Sequence, residues 1–424
     1  MRLRYPPRVA APLSRRDFLR AIGAATWLVT CGDNDPAAAS AALDPDEDSV
    51  VIALWADRAG ALAEVTATAG GRTVTGARVA LDGAIGRLVL TGLLPDTAHD
   101  VTVRIAGRAL GTHRVRTAPR ADDPRPVRVA VSADCDPNPA FASGMLDALI
   151  AAEPEIVISI GDFPYTDNGP PAMTVDQYRS RHLELRTHPP VRALHEACGM
   201  YAIYDDHEVR NDWDGRARLD EPARYAAALQ VWDEFFPQRA AAGEVRYRRW
   251  RWGAHLECFL LDCRRFRSAN TAADDASKTM LGAEQHGWLI DGATSSTATF
   301  KLILTSIPLD YGTGDDHWAS FTTERDALLA ALIGTPGVLF ASADQHWFAA
   351  HRHAFGVREM QVGPLARGLG IPPPAVPGVL FRAVRYNAGL IDIAGDQLTL
   401  TGLGADGERF YQETVSAADL TPRV

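Results

Sequence analysis

Four apolar runs in this chain stop abruptly at residue types able to ligate metal ions. VRVAVSA is followed by Asp134 and Cys135, and EIVISI by Gly161 and Asp162, with Tyr165 three residues further on. GMYAIY precedes Asp205-Asp206-His207-Glu208, and GVLFASA precedes Asp344 and, two residues on, His346. Continuous apolar runs of this length read as strands buried on both faces. In open α/β sheets the ligand site lies beyond the carboxyl ends of the strands. A single strand-end aspartate is most often a turn former or a helix cap. Four ends carrying oxygen, nitrogen or sulfur donors are what a dinuclear metal site requires.

Helical stretches lie between these runs, at 140–152, 221–236, 280–289 and 323–333. RYRRWRWGAHLECFLLDCR reads as a hairpin, FKLILTS as a further strand, and MQVG, AGLIDIA and DQLTLTG as tail strands. The plan is α/β with an antiparallel share, two sheets packed face to face between helices, over 126–424. Before it, residues 49–119 carry short alternating strands separated by Gly-Gly, Asp-Gly and Pro-Asp turns, which predict a small all-β sandwich. The charged, proline-bearing segment 120–125 reads as the boundary.

The first residues read as an address. SRRDFLR at 14–20 precedes a short apolar run at 21–29, well short of the roughly 20 apolar residues of a membrane span. The pair Arg15-Arg16 makes 1–40 look like a twin-arginine signal peptide and linker. Export by that route predicts a periplasmic, cell-envelope or secreted protein. Cys31 after Leu28-Val29-Thr30 is similar to a lipoprotein acylation box, with Thr30 where a smaller residue is usual, and offers a lipid anchor. The other expected end is cleavage near 37–40. Loss of residues 1–30, with six arginines and one aspartate, takes the net charge from −10 to −15. Such an acidic chain is a poor general nucleic-acid binder. It needs strong local positive charge to handle phosphate, and metal ions supply it. Five sparse cysteines, without a CxxC pair, argue against a disulfide scaffold, a zinc ribbon or a redox dithiol.

Five blocks then carry a family resemblance. GDFPYTD at 161–167 resembles the GDxxY motif of PhoD-like alkaline phosphatases and phosphodiesterases, and YDDHEVRNDW at 204–213 their WDDHExxxN motif. LDCRRFR at 261–267 resembles LDxRxxR, MLGAEQHGWL at 280–289 resembles LGxxQxxWL, and SADQHWFA at 342–349 resembles SGDxH. The blocks run in family order over about 127–350. The fold implied is the calcineurin-like metallophosphoesterase two-sheet sandwich flanked by helices, and the β module at 49–119 is similar to a fibronectin type III domain. The resemblance implies that Asp162 bridges two cations, that Tyr165 ligates as phenolate, and that Asp344 and His346 are the final ligand pair. Asp206 falls where the wider superfamily places a ligating asparagine, and Asn211 adds an oxygen or serves as a cap. Cys135 matches a strand-end cysteine of the family. The block here reads SADC, so Asp134 is the competing ligand, with Cys135 then buried and inert. Phenolate and thiolate suit Fe(III), a carboxylate at 206 favours Ca²⁺, and Zn²⁺ and Mn²⁺ are alternatives.

The activity implied is hydrolysis of phosphate monoesters, diesters or both by a hydroxide activated between two metals. The resemblance implies that His207 serves the leaving-group oxygen, that Glu208 orients it, and that Arg264 clamps phosphate. His351 and His353 have the spacing of a metal pair but fall in no family block, and are expected on a strand surface. A phospholipase D-like reaction on the same scaffold and a non-catalytic surface-binding protein are the competing functions. No GxSxG elbow or P-loop is present, so serine-hydrolase and nucleotide-kinase readings lack support.

Overall fold

The computed structural model describes residues 38–56, 59–136, 143–239 and 245–424. The arginine pair and Cys31 lie outside the described residues. Among the described residues no helix is long and apolar enough to cross a membrane.

The body is a four-layer stack. In the nine-stranded sheet, Val127–Ser132, Ile156–Ser159 and Gly199–Ala202 lie side by side and parallel. In the seven-stranded sheet, Leu256–Leu260, Phe300–Leu304 and Val338–Ser342 do the same. Alternation along a strand sends successive side chains to opposite faces. Val129, Ile158, Leu302 and Leu339 therefore meet between the sheets. Ala130 and Val157 face a core shared with the helices Met145–Ala151, Val175–Thr187, Pro189–Ala197 and Pro222–Phe235. On the far side, Ile303 and Phe340 pack against Gly282–Ser295 and Thr322–Ala331. Strands covered on both faces must be apolar throughout, which is why these runs do not alternate in sequence. RYRRWRWGAHLECFLLDCR forms a hairpin, Arg248–Trp252 against Leu256–Leu260. Two sheets packed face to face between helices are as expected. The helices Val175–Thr187 and Pro189–Ala197 were not anticipated.

The amino-terminal strands are less separate than the sequence implies. Ala38–Leu43 begins within the stretch read as leader and linker. It pairs parallel with Gly199–Ala202 and antiparallel with Ser49–Ala56, which in turn pairs with Ile85–Thr91. These three strands extend the nine-stranded sheet. Only Leu62–Ala69, Arg72–Thr75, Val79–Ala80, Ala98–Ile105 and Arg108–Arg116 make a sheet of their own. The physical reason is burial: all eight residues of Ser49–Ala56 are buried. Ile52 and Leu54 face the small sheet, whereas Val51 and Trp55 face the helices, with Trp55 stacked 4.0 Å from Phe235. AASAAL gave little strand signal because it lacks β-branched and aromatic residues.

Candidate metal centre

The carboxyl ends of both parallel triplets open at the same edge of the stack, and the polar residues that follow them converge there. Just past the strands the backbones remain joined, Cys135 N–H to the Asp162 carbonyl at 2.9 Å and Ala343 N–H to that of Ser306 at 3.1 Å. The chain then turns sharply. Asp134, Asp162, Asp212, Asp344 and His346 all have positive φ, between 54° and 73°. Such backbone is uncommon outside glycine, and aspartate tolerates it better than most. It aims each side chain into the space between the strand ends, the local strain being held by the surrounding sheets.

Three overlapping groups result. Asp134, Asp162 and His346 place donor atoms within 4.8 Å of one another, as do Asp162, Asp206 and His207, and Asp205, Asp206 and Asp344. Asp162 and Asp206 are thus shared between these groups. Tyr165 is buried and its hydroxyl lies 2.9 Å from His346 Nε2, while His346 Nδ1 contacts the Gly368 carbonyl at 2.6 Å. Burial, and then the neighbouring carboxylates, push Asp134 and Asp162 well above the usual carboxylate range. Burial also lowers His346 to about 4.

The chemistry of this set fits cations. Both oxygens of Asp134, Oδ2 of Asp162 and Oδ1 of Asp206 are buried and accept no hydrogen bond from the protein. Unpaired buried carboxylate is costly unless it is neutralised or coordinated. Oxygen donors with one neutral imidazole and one phenol suit hard or borderline ions.

His207 stands at the edge of this set. Its Nδ1 lies 2.7 Å from Asp167 Oδ1, leaving Nε2 as the remaining nitrogen. Burial opposes its charge, but Asp206 and Asp167 outweigh it and raise the ring to about 9. Glu208 does not orient His207. Its two oxygens accept from the Phe163 N–H at 2.7 Å and the Asp205 N–H at 2.9 Å, tying two strand-end loops together. Asp167 was not singled out from the sequence, although it closes the GDFPYTD block.

Three expected site residues lie elsewhere. Cys135 is fully buried in the core beneath the helices and belongs to none of the metal-type groups among the described residues. With Asp134 turned into the site by its positive φ, the next side chain is directed away, and burial raises its thiol well above the ordinary value. Asn211 is exposed, and its contact is a backbone N–H to Asp167 Oδ2 at 2.7 Å. The carboxylate beside it, Asp212, groups with Asp206 and Asp316 instead. Arg264 is no phosphate clamp. It has no exposed surface, and all three guanidinium nitrogens are engaged by Asp205 and Asp316. The arginine that borders the site is Arg367, 22% exposed, stacked 4.5 Å from the Tyr165 ring centroid and bonded to Asn168 and Asp136. It lies outside the recognisable blocks, so the sequence offered no signal for it.

A family model described as PhoD-like phosphatase matches residues 140–366. Alkaline phosphatase D of Bacillus subtilis (strain 168) is 26% identical over 220 residues, covering 41% of this chain. That match spans only 38% of the relative's length. Among solved structures, that of PhoD superposes with a TM-score of 0.78 at 17% identity, covering 89% of this chain and 88% of that one. A purple acid phosphatase from yellow lupin (Lupinus luteus) seeds gives 0.68 at 14% identity, covering 90% and 74%. At these identities the two structures bear on fold alone, and both share the two-sheet architecture described above. With a family model spanning more than half of its length, the chain belongs to the PhoD-like phosphatases.

Proposed function

We propose that this protein is a metal-dependent hydrolase of phosphate esters, acting on monoesters, diesters or both. The observation that carries the reading is the convergence of Asp134, Asp162 and Asp206, with buried unpaired oxygens, on His346, Tyr165 and His207. Asp134, Asp162, Tyr165 and His346 would hold one ion, and Asp162, Asp206 and Asp344 a second. Bound there, two cations would polarise the phosphoryl oxygen and lower the pKa of a water nucleophile. The phenol of Tyr165 favours Fe(III) at the first position, and the carboxylates favour Ca²⁺ at the second, with Zn²⁺ and Mn²⁺ as alternatives.

The protein's own groups supply the rest. His207, held at Nδ1 by Asp167, delivers the proton on Nε2 to the departing alkoxide. Arg367 is placed at the rim to meet outer phosphate oxygens, and its planar fork suits them. Arg264 fixes Asp205 and so the loop that carries Asp206 and His207. Export by the twin-arginine route rests on SRRDFLR before a short apolar run. Replacing Arg15 and Arg16 by lysine should retain the protein in the cytoplasm. The central test is metal analysis of the exported protein together with turnover of p-nitrophenyl phosphate and bis(p-nitrophenyl) phosphate. Two ions per chain and hydrolysis of either ester are expected. A metal-free protein that turns over neither overturns the proposal.

A further inference from the structure

A second cluster of donors lies outside this centre, on the same seven-stranded sheet. His351, in Phe348–Arg352, and His353, just past its end, lie tilted against each other with ring centroids 4.1 Å apart. Asp310, on the loop after Phe300–Leu304, joins them, so that one donor atom from each of the three lies within 4.8 Å of the others. The histidines do not lie on the open strand surface expected from the sequence. His351 is only 3% exposed, yet its Nδ1 has no hydrogen-bond partner. Its other edge is held against the backbone at Pro377 and Gly378. Burial lowers its pKa, leaving a neutral imidazole with a free lone pair or an unused N–H inside the protein. Neither is stable in apolar surroundings without a partner.

His353 is oriented from behind. Its Nε2 lies 2.6 Å from Glu359 Oε2, and Glu359 is itself buried and fixed by the Leu309 N–H at 3.0 Å and the Ser342 hydroxyl at 2.5 Å. A buried carboxylate on the far nitrogen of an imidazole is how metal-binding histidines are held in tautomer and direction. Nδ1 is then the nitrogen left to bind. Asp310 has one oxygen 3.3 Å from Arg325, and the second remains for an ion.

We infer that Asp310, His351 and His353 form a second metal site, for a divalent ion of the zinc class, distinct from the phosphoesterase centre. Two imidazoles and one carboxylate are a frequent three-residue zinc set, with a fourth position left to solvent. The site would also brace the centre. Asp310 sits on a loop whose start, Ser306, donates to Asp205 at 2.5 Å, and whose end, Asp316, receives Arg264 at 2.6 Å. An ion gripping Asp310 ties that loop to the strand Phe348–Arg352.

Cobalt(II) is the probe, because it follows zinc in geometry and absorbs in the visible range. Full-length protein, stripped with chelator and gel-filtered with Co²⁺, should lose one equivalent in Asp310→Asn and in His353→Gln, along with a d–d band. Asp310 is 45% exposed on its side chain, so Asp310→Asn should keep the fold, as circular dichroism will show. Asp162→Asn should lose metal at the phosphoesterase centre alone and retain the ion that Asp310→Asn removes. Equal Co²⁺ content and an unchanged spectrum in Asp310→Asn and His353→Gln overturn the second site, whatever Asp162→Asn does. Metal loss confined to Asp162→Asn supports only the phosphoesterase reading.

Discussion

Arg264 and Asp205 form a bidentate pair with no solvent access, Nε to Oδ1 at 2.6 Å and the second terminal nitrogen to Oδ2 at 2.8 Å. The remaining terminal nitrogen reaches Asp316 at 2.6 Å, and Asp316 also contacts Arg267 at 3.0 Å. Of the two adjacent aspartates in the DDHE block, Asp205 is therefore committed to structure. Asp206, whose Oδ1 accepts no hydrogen bond, is left for the site. The pair joins the two sheets at the point where their strand ends meet.

Removing one partner of such a pair leaves a buried charge. Arg264→Met should cost about 3–5 kcal/mol of unfolding free energy, typical for a broken buried ion pair. Denaturant unfolding of the metal-loaded protein measures this directly. A clamp acting on substrate would instead raise KM at unchanged stability, and that outcome would restore Arg264 to the binding site.

The blocks that named the site were legible because each carries its chemistry within a few residues of a strand end. Asp162, Tyr165, Asp206, His207, Asp344 and His346 were singled out in this way, and the structure brings them together. One cause of the differences is that side-chain direction after a strand end depends on φ, which a sequence does not display. Asp134 at φ 57° turns inward and Cys135 outward, and Asp212 rather than its neighbour Asn211 joins a carboxylate group. Arg264 was expected at the phosphate and is buried against Asp205 and Asp316, and Arg367 carried no signal, because burial depends on contacts made by distant segments. The Asp310, His351 and His353 group unites residues about forty positions apart, which periodicity along one strand does not reveal. The body strands were readable from apolar runs, whereas Ala38–Leu43 was hidden by small side chains.

Gly363 has φ 91°, and a β-carbon there would collide with Asp134 Oδ2. Gly363→Ala should therefore displace the Asp134 carboxylate. The expected result is a folded protein, destabilised by about 1 kcal/mol or more through the positive φ, that loses metal and turnover together. Elemental analysis beside thermal unfolding decides it. Full metal content in the variant would show that Asp134 does not need its present position.

Metal removal should destabilise the protein in a pH-dependent way. Burial, followed by neighbouring carboxylates, raises Asp134, Asp162 and Asp344 in the metal-free fold above their unfolded values. The metal-free native state then binds more protons than the unfolded chain, so its stability falls as pH rises. The contribution is full below the ordinary aspartate value of about 3.9 and is lost as pH climbs through the raised values. Chelator-treated protein should show a larger deficit in Tm, relative to the loaded form, at pH 8 than at pH 5.5. A deficit that shrinks with rising pH contradicts this reading of the carboxylates.

His207 and Asp167 should separate by leaving group. His207→Ala should keep its metal and lose about a hundredfold to ten-thousandfold in kcat on an alkyl phosphate, the usual range for proton transfer. The loss should be smaller on p-nitrophenyl phosphate, because nitrophenolate departs without a proton. Asp167→Asn should show the same pattern, weaker, since it removes the charge at His207 Nδ1 but keeps a polar partner. Equal losses on both substrates in His207→Ala would exclude the acid role.

Asp134 and Cys135 compete for the first strand end, and their environments predict opposite phenotypes. Both Asp134 oxygens are buried without a hydrogen bond and face Asp162 and His346, so the carboxylate is left to a cation. The Cys135 thiol is packed among core residues such as Met145 and Tyr178, with burial holding it protonated. A protonated, buried thiol behaves as a small apolar group. Asp134→Asn should lose the ion shared with Asp162 and His346, and turnover with it, because a ligating negative charge is gone. Cys135→Ala should retain both metals and activity, at a cost within the roughly 0.5–3 kcal/mol common for core substitutions. If the metal centre contains Fe(III), its visible absorption should survive Cys135→Ala unchanged and respond to Tyr165→Phe, which removes the phenolate. Loss of iron on Cys135→Ala with retention on Asp134→Asn would reverse the assignment and place the thiolate in the site.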